Sequence, residues 1–426
     1  MTTLPRFIQI HTLHNYPAAL LNRDDAGLAK RLPYGNAIRT RISSQCLKRH
    51  WRMADDVFSL SSLGVPMAIR SRELPRQIRD MLITKVKKVL LERQVSGESV
   101  DLSSEALAQA AVEAMRNAGL LDKAGKNPLG EDALSTGQAV LLGVAERDYL
   151  IQKCSGIIEA LVRTDEHGNA TPPSEVEVKQ AVLNWLKDKE EKKNFETMKK
   201  ECGLESALFG RMVTSDVLTS RDAAVYVAHA FTVHEAQVEN DYFTVVDDLL
   251  RESGEQSSAG IFDTELASGL YYGYVVIDVP QLVANLEGVK IENCFKVDAK
   301  QRELAAKVVH HLLHLIATVS PGAKRGSTAP FEWAKLMLVE TGDWQPRSLA
   351  GAFQNALGLK DGNIRERAVG QLANELQRLD AAYGAPSERR FLSVDDVQVP
   401  GAERLPLASL TQWVQDRIVS GEEKGA

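Results

Sequence analysis

The hydrophobic pattern of the first sixty residues changes period, which predicts two strands followed by a helix. Residues 6–14 (RFIQIHTLH) are apolar on both faces, as in a strand at the centre of a sheet. Residues 38–42 (IRTRI) alternate, which predicts a short strand with one basic face that carries Arg39 and Arg41. Serines 43 and 44 are N-cap residues before an apolar stripe at helical spacing, so we expect a helix from there to about Leu60.

Helical periodicity dominates the next part of the chain and predicts an inserted helical lobe. The predicted helices cover residues 74–93, 103–118, 137–162 and 175–200. A sheet pattern resumes near residues 207–214. Residues 223–233 (AAVYVAHAFTV) suit a strand or a helix, and we favour a helix.

A polar stretch flanked by aromatic residues predicts a long hairpin arm between residues 238 and 268. The rest of the chain mixes both periods, which places the whole in the α+β class. Strands are predicted over residues 269–279 and 331–340, and helices from Pro280 and over residues 301–319, 348–359, 364–383 and 410–419.

Charge is distributed unevenly along the 426 residues, whose formal net charge is −6. Residues 1–52 hold nine Lys/Arg against two Asp/Glu, and eight of these cations fall in residues 21–52. Cations beside a capped helix N-terminus suit a phosphate group, because several donors converge on it. The alternative is a solvated basic surface.

Other features exclude several classes of protein. The cysteines (Cys46, Cys154, Cys202 and Cys294) are too widely spaced for a zinc or redox motif. We find no signal peptide and no apolar run of membrane-spanning length, so a cytoplasmic location and no membrane partner are expected. His310 and His314 have metal-ligand spacing, but their apolar neighbours favour packed core histidines, and no metal or cofactor is predicted.

Two further pairs of side chains have alternative interpretations. Asp24 and Asp25 could ligate Mg²⁺ or act as a general base beside a phosphodiester, although pairing with nearby arginines is favoured. Tyr242 and Phe243 could wedge between nucleobases, although anchoring the arm to the body is favoured.

Six stretches, taken in order, resemble the CasC-type backbone subunit of the type I-E CRISPR Cascade complex, of the RAMP superfamily. The matching residues are 21–25 (LNRDD), 39–49 (RTRISSQCLKR), 210–215 (GRMVTS), 241–249 (DYFTVVDDL), 320–325 (SPGAKR) and 391–397 (FLSVDDV).

The resemblance implies a right-hand-like fold. Its palm would be an RRM-like, ferredoxin-like sheet, its fingers a helical insertion and its thumb a β-hairpin. The corresponding boundaries are residues 1–71, 206–235 and 270–426 for the palm, 72–205 for the fingers and 236–269 for the thumb.

The resemblance also implies a function without catalysis. The chain would bind CRISPR RNA (crRNA), stack head to tail with copies of itself into a helical filament, and support base pairing of the guide to target DNA in antiviral defence. Its partners would be the large, small, CasD-type and CasE-type Cascade subunits. The alternative is a metal-dependent endoribonuclease that uses Asp24 or Asp25.

Carried over by motif, two groups of residues would contact RNA. The phosphate-binding group comprises Arg23, Ser43, Gln45, Lys48 and Arg52, with Lys30, Arg41 and Arg49 from the same stretch and Lys324 and Arg325 from the later loop. The group at the displaced base comprises Met212, Tyr242, Phe243, Thr244 and Ile261.

Overall fold

The computed structural model divides the chain into two compact units. The first, called the sheet unit, comprises Met1–Leu63, Val225–Ala284 and Val289–Ala426, and the second, called the helical unit, comprises Gly64–Ala224 and Asn285–Gly288. The structure describes residues 4–95, 99–121, 134–136, 139–164, 166, 170–191, 194, 203–211, 221–246 and 258–421.

The elements are numbered here in chain order. The strands are β1 (Phe7–Ala19), β2 (Arg31–Tyr34), β3 (Ala37–Ile42), β4 (Ala68–Ser71), β5 (Val140–Gly143), β6 (Arg163–Thr164), β7 (Ala170–Thr171), β8 (Val225–Val227), β9 (Ala230–Thr232), β10 (Gln237–Val246), β11 (Ser258–Asp278), β12 (Leu336–Gly342), β13 (Glu388–Ser393) and β14 (Ala402–Arg404). The helices are α1 (Ser44–Arg52), α2 (Leu74–Glu92), α3 (Ser99–Asn117), α4 (Val144–Leu161), α5 (Glu175–Lys187), α6 (Leu204–Phe209), α7 (Val279–Glu287), α8 (Glu303–Thr318), α9 (Arg325–Thr328), α10 (Ile364–Tyr383) and α11 (Leu407–Ser420).

A large, mostly antiparallel sheet forms the sheet unit, and this confirms the α+β class. Its strand order is β14-β13-β12-β1-β11-β9-β3-β2, and β8 and β10 also pair with β11. Strand β1 is paired on both edges, with β11 and β12. Ile8, Ile10 and Leu13 are fully buried in it, so the predicted central strand is confirmed.

The 21-residue strand β11 continues past the sheet into a two-stranded arm. Pairing between β1 and β11 runs from Phe7–Asp278 to Ala19–Ala267. Pairing between β10 and β11 runs from Gln237–Ser268 to Val246–Ser258. Residues 258–266 therefore pair, within the described part of the chain, with β10 alone.

A buried ionic network crosses the centre of the sheet. The Glu340 carboxylate accepts from Arg347 at 2.6 and 2.9 Å and from Arg389 Nε at 2.6 Å. His11 Nε2 lies 3.2 Å from Glu340, and its Nδ1 lies 2.9 Å from the Tyr272 hydroxyl. Burial opposes ionisation of Glu340, but the bonds from His11 and Arg347 outweigh it and lower the pKa of Glu340. The network therefore holds a charged carboxylate where β1, β12 and β13 meet.

The prediction that His310 and His314 of α8 pack in the core is confirmed for His314, whereas His310 is half-buried. The His314 ring stacks on Phe58 with the ring centroids 3.6 Å apart, and its Nε2 lies 3.0 Å from the Thr411 hydroxyl. His311 Nδ1 lies 3.1 Å from the Phe58 carbonyl oxygen. Among the described residues, no group of His, Cys, Asp or Glu side chains is arranged to hold a metal ion.

The helical unit has its own core, built from α2, α3, α4 and α5. In α2, fully buried apolar residues recur every fourth position from Leu74 to Leu90, which produces one apolar face. Two short two-stranded sheets, β4–β5 and β6–β7, belong to this unit. The predicted palm, fingers and thumb boundaries stay predictions. Within the described residues, no helix has the length and apolar character needed to cross a bilayer.

Several predicted elements were wrong. The helix predicted to continue to Leu60 ends at Arg52, and a separate 3₁₀ turn covers Leu60–Leu63. The helix predicted over residues 137–162 begins only at Val144, after β5. The helix predicted over residues 348–359 is a 3₁₀ turn, Ala350–Phe353.

Two further errors reversed the type of element. The region near residue 207 contains helix α6 rather than a strand, and residues 212–214 lie outside the described residues. The favoured helix over residues 223–233 is strands β8 and β9, because both pair with β11. That non-local pairing leaves no signal in the local sequence.

We expect Glu340→Gln to lower the free energy of unfolding by about 3 kcal/mol, because it leaves buried cations without their carboxylate. Denaturant unfolding followed by circular dichroism measures this. The control is Glu388→Gln, whose partly exposed carboxylate pairs with Arg390 at 3.3 Å and with Arg417 at 3.4 Å, and for which we expect a loss of about 1 kcal/mol or less. Equal losses in both variants would show that the network does not contribute in this way.

We expect His314 to make the protein less stable in acid. Burial, followed by the charges of His310 and His311, lowers the pKa of His314 from 6.5 to about 4. The unfolded chain therefore takes up this proton first, so the free energy of unfolding falls as the pH drops from about 6.5 to about 4. In His314→Gln this fall is expected to be shallower than in the wild type. Parallel curves for the two proteins over that range would contradict the assignment.

Candidate nucleic-acid interface

Helix α1 begins at the predicted cap, but most of its first donors are already used. The Ser43 hydroxyl accepts from Cys46 N–H at 3.3 Å, and Ser43 N–H donates to Asn22 Oδ1 at 2.9 Å. Ser44 N–H donates to His229 Nδ1 at 3.2 Å. Most backbone donors that were expected to converge on a phosphate here are therefore already occupied. The first three backbone N–H groups of α1 belong to Ser44, Gln45 and Cys46. Within the described residues, that of Gln45 has no acceptor.

Four cations nevertheless lie near α1: Arg41 Nη1 is 3.4 Å from His229 Nδ1 at the start of the helix, Lys30 and Arg325 come from other segments, and Arg49 lies in its last turn. Burial raises the pKa of the Cys46 thiol to about 11, while Arg49, Lys30 and Arg325 act on it in the opposite direction. Burial lowers the pKa of His229, and Arg41 and Lys30 lower it further. The Cys46 thiol and the His229 imidazole are thus each influenced by cations from separate parts of the chain. We call Lys30, Arg41, Arg49 and Arg325 the cationic site.

The cationic site keeps its charge. In the described part of the chain, no carboxylate lies within salt-bridge distance of any of its four members. Arg41 Nε donates to the Arg31 carbonyl at 3.3 Å, and Arg325 Nη2 donates to the Ser320 carbonyl at 3.1 Å. These neutral acceptors orient the guanidinium groups without cancelling them. Such a surface attracts anions that present several oxygens, such as phosphates.

Two arginines of the basic stretch have other roles. Arg39 is fully buried, and donates to the Thr232 and Phe353 carbonyls at 2.9 Å each. The predicted basic face of β3 is therefore wrong for Arg39. Arg31 pairs with the buried carboxylate of Glu265 on the arm. Neither is available as an unpaired surface charge.

The other predicted phosphate-binding residues are spread over the same region. Arg23 and Gln45 are exposed. Lys48 and Arg52 lie half-buried on α1, and each of the two makes a further polar or electrostatic interaction. Lys324 donates from Nζ to the Thr264 hydroxyl at 2.6 Å, so it links the loop over residues 320–330 to the root of the arm. Phosphate binding by these residues stays a prediction.

The arm presents Tyr242 to solvent. Its side chain is 64% exposed, so the favoured interpretation of Tyr242 as an anchor was wrong. The backbones of Phe243, Thr244 and Ile261 lie in the hairpin, where Thr244 pairs with Ile261, but their side chains lie outside the described residues. Met212 also lies outside them.

Asp24 shapes a turn. Its Oδ1 accepts from the backbone N–H groups of Ala26 and Leu28 at 3.0 and 2.9 Å, and Asp25 is exposed beside it. The favoured pairing of these acids with local arginines was wrong for the part of the chain that the structure describes.

Sequence inspection missed three residues that organise this region. His229 accepts from the start of α1, and the Glu265 carboxylate accepts from Ala29 N–H at 2.8 Å. Ser320 fixes the later loop through two bonds to the backbone of Glu332, at 2.8 and 2.9 Å. Each acts on residues distant in the sequence, and no local pattern marks such a partner.

A family model described as CT1975-like protein (Cas_CT1975) matches residues 8–416. The chain belongs to the CT1975-like family. A comparison with curated proteins finds no match.

Solved structures resemble this CT1975-like chain over almost its whole length. One, described as "CRISPR RNA-guided surveillance complex, pre-nicking", contains a chain that is 26% identical, with a TM-score of 0.68; the alignment covers 97% of this chain and 100% of that one. Another, described as "CRISPR RNA-guided surveillance complex", contains a chain that is 20% identical, with a TM-score of 0.53. The alignment covers 96% of this chain and 98% of that one, and this likeness supports the fold alone. The resemblance to a Cascade-type subunit is thereby confirmed, whereas the CasC-type, type I-E assignment stays a prediction.

Proposed function

We propose that this CT1975-like protein is a non-catalytic backbone subunit that binds crRNA in a CRISPR surveillance complex. The observation that carries the proposal is the cationic site, in which Lys30, Arg41, Arg49 and Arg325 lie near α1 without a neutralising carboxylate among the described residues. Phosphates are the anions that a single-stranded RNA presents at regular intervals.

The chemistry of this site suits a guide of any sequence. Lys and Arg contacts to phosphate supply affinity without distinguishing bases. Sequence recognition is then left to base pairing between the guide and the target DNA. A subunit with these properties can occupy successive, unrelated segments of one RNA.

In this proposal the sheet unit is the RRM-like palm, the helical unit the fingers and the β10–β11 arm the thumb. The exposed Tyr242 supports a role for the arm at an unstacked base, because an exposed ring on a hairpin can stack on or displace a base. Copies of the chain would follow one another head to tail, since a heterologous interface that does not close produces a filament. The other Cascade subunits would bind its ends in the cytoplasm.

We expect Arg49→Ala combined with Arg325→Ala to weaken binding of single-stranded RNA and to reduce its salt dependence. Loss of two phosphate contacts should reduce the slope of log K against log salt concentration by about 1.4. Fluorescence anisotropy with labelled oligouridylate over a range of salt concentrations measures both effects. The control removes two exposed cations elsewhere in the sheet unit, Lys300 and Arg378, and should leave the slope unchanged. If the two double variants have equal slopes, the proposed site is wrong.

The non-catalytic part of the proposal has a separate test. We expect labelled RNA complementary to the bound guide to remain intact when the ribonucleoprotein is incubated with Mg²⁺. Asp24→Asn keeps an oxygen that can accept from the Ala26 and Leu28 N–H groups, so it removes the charge while preserving the turn. Cleavage by the wild type that Asp24→Asn abolishes would establish the endoribonuclease alternative instead.

A further inference from the structure

Two exposed aromatic rings lie in the segment that follows the loop over residues 320–330. Phe331 is 68% exposed and Trp333 is 70% exposed, although both are large apolar side chains. Exposed rings of this size mark a binding surface more often than a single exposed aliphatic residue does. Neither ring belongs to the groups of residues considered above.

The backbone that carries these rings is held in place. Ser320 Oγ donates to the Glu332 carbonyl at 2.8 Å and accepts from Glu332 N–H at 2.9 Å. Ala334 N–H donates to the Ala317 carbonyl at 2.8 Å, and Lys335 N–H donates to the Leu13 carbonyl at 2.7 Å. The residue between the rings and the two residues after them are therefore anchored to α8 and β1. The rings are pre-positioned for a partner, which lowers the entropic cost of binding.

The same anchor also holds the guanidinium group of Arg325. Arg325 Nη2 donates to the carbonyl of Ser320, whose hydroxyl bonds to Glu332, the residue between Phe331 and Trp333. The loop closes tightly, since a Cβ on Gly322 would lie 2.7 Å from Pro330 Cγ. Ser320 thus anchors both Arg325, a member of the cationic site, and the backbone segment that carries the two exposed rings.

We propose that Phe331 and Trp333 form a stacking platform for an unpaired base of the single-stranded nucleic acid whose phosphates the cationic site binds. This inference rests on the proposed function and extends it from phosphates to bases. Charge favours this occupant over a protein surface, because residues 319–335 carry three cations against one acid, a net charge of +2, although that acid, Glu332, pairs with Lys335 at 2.7 Å. Cations combined with aromatic side chains are the arrangement by which single-stranded nucleic acids are bound without sequence preference.

The test compares oligouridylate with an abasic oligomer of equal length, by fluorescence anisotropy with the full-length protein. Trp333→Ala should weaken oligouridylate binding roughly 5- to 150-fold, the range of one stacked base, and leave abasic binding unchanged. Trp333→Phe keeps an aromatic ring and should retain most of the affinity.

The matched control is Trp344→Ala. Trp344 is 56% exposed and follows the other end of β12, a strand about 20 Å long that separates it from Trp333. This variant should bind both oligomers like the wild type. Combined loss of Arg49 and Arg325 should weaken binding of both oligomers, because each carries phosphates. If the double variant at Arg49 and Arg325 bound both oligomers like the wild type, the proposed function would be wrong. The base-dependent effect of Trp333→Ala tests the platform itself.

Intrinsic fluorescence provides a second measurement that does not depend on the stability of an alanine variant. Stacking on Trp333 should quench wild-type emission with oligouridylate, but not with the abasic oligomer, and Trp333→Phe should remove this component. If Trp333→Ala leaves both affinities unchanged, or lowers only the association of protein copies on long RNA, the platform is wrong and the rings belong to a protein interface.

Discussion

Pairing along β11 is the constraint on which the sheet unit depends. Its C-terminal half pairs with β1 on one edge and with β8 and β9 on the other, while its N-terminal part continues with β10 into the arm. Since side-chain direction along a strand is fixed by a period of two, the register of β11 in the sheet also orients the arm. A one-residue slip would reverse the faces of both.

The root of the arm is also tied to the cationic region by side chains. Thr264 accepts from Lys324, and Glu265 binds Ala29 N–H and pairs with Arg31. Both β11 residues are buried, so water has little access to their side of each contact, although the Arg31 side chain is 40% exposed. The turn before β2, the later loop and the arm therefore share one junction. If the cations bind phosphates as proposed, the exposed Tyr242 acts at a position determined by that junction.

The sequence predicted those parts of the fold in which one period is unambiguous. Helix α10 matches its prediction over residues 364–383, because a capping Asn363 precedes a clear helical stripe. Residues 223–233 are apolar at either period, and only pairing with β11 decides between strand and helix. Arg39 shows the same limit for the site: alternation predicted its face of β3, but the carbonyls that bury it lie 193 and 314 positions later in the chain. Charge and motif can identify a basic stretch, whereas the pairing of each cation depends on tertiary contacts.

The proposed function is supported more by the partners that each arginine has than by the number of arginines. Arg302 donates to the carbonyls of Ile418, Cys294 and Val297, and Arg389 binds two carboxylates, so each of these buried guanidinium groups has several acceptors. Within the described residues Lys30, Arg41, Arg49 and Arg325 have no carboxylate in salt-bridge distance, which costs stability through mutual repulsion, a cost that a bound polyanion removes. Stacking on Phe331 and Trp333 would fit the same logic, since every base has an aromatic face. A subunit that holds phosphates by charge and bases by stacking accepts any guide, which is the property that the proposed backbone role requires.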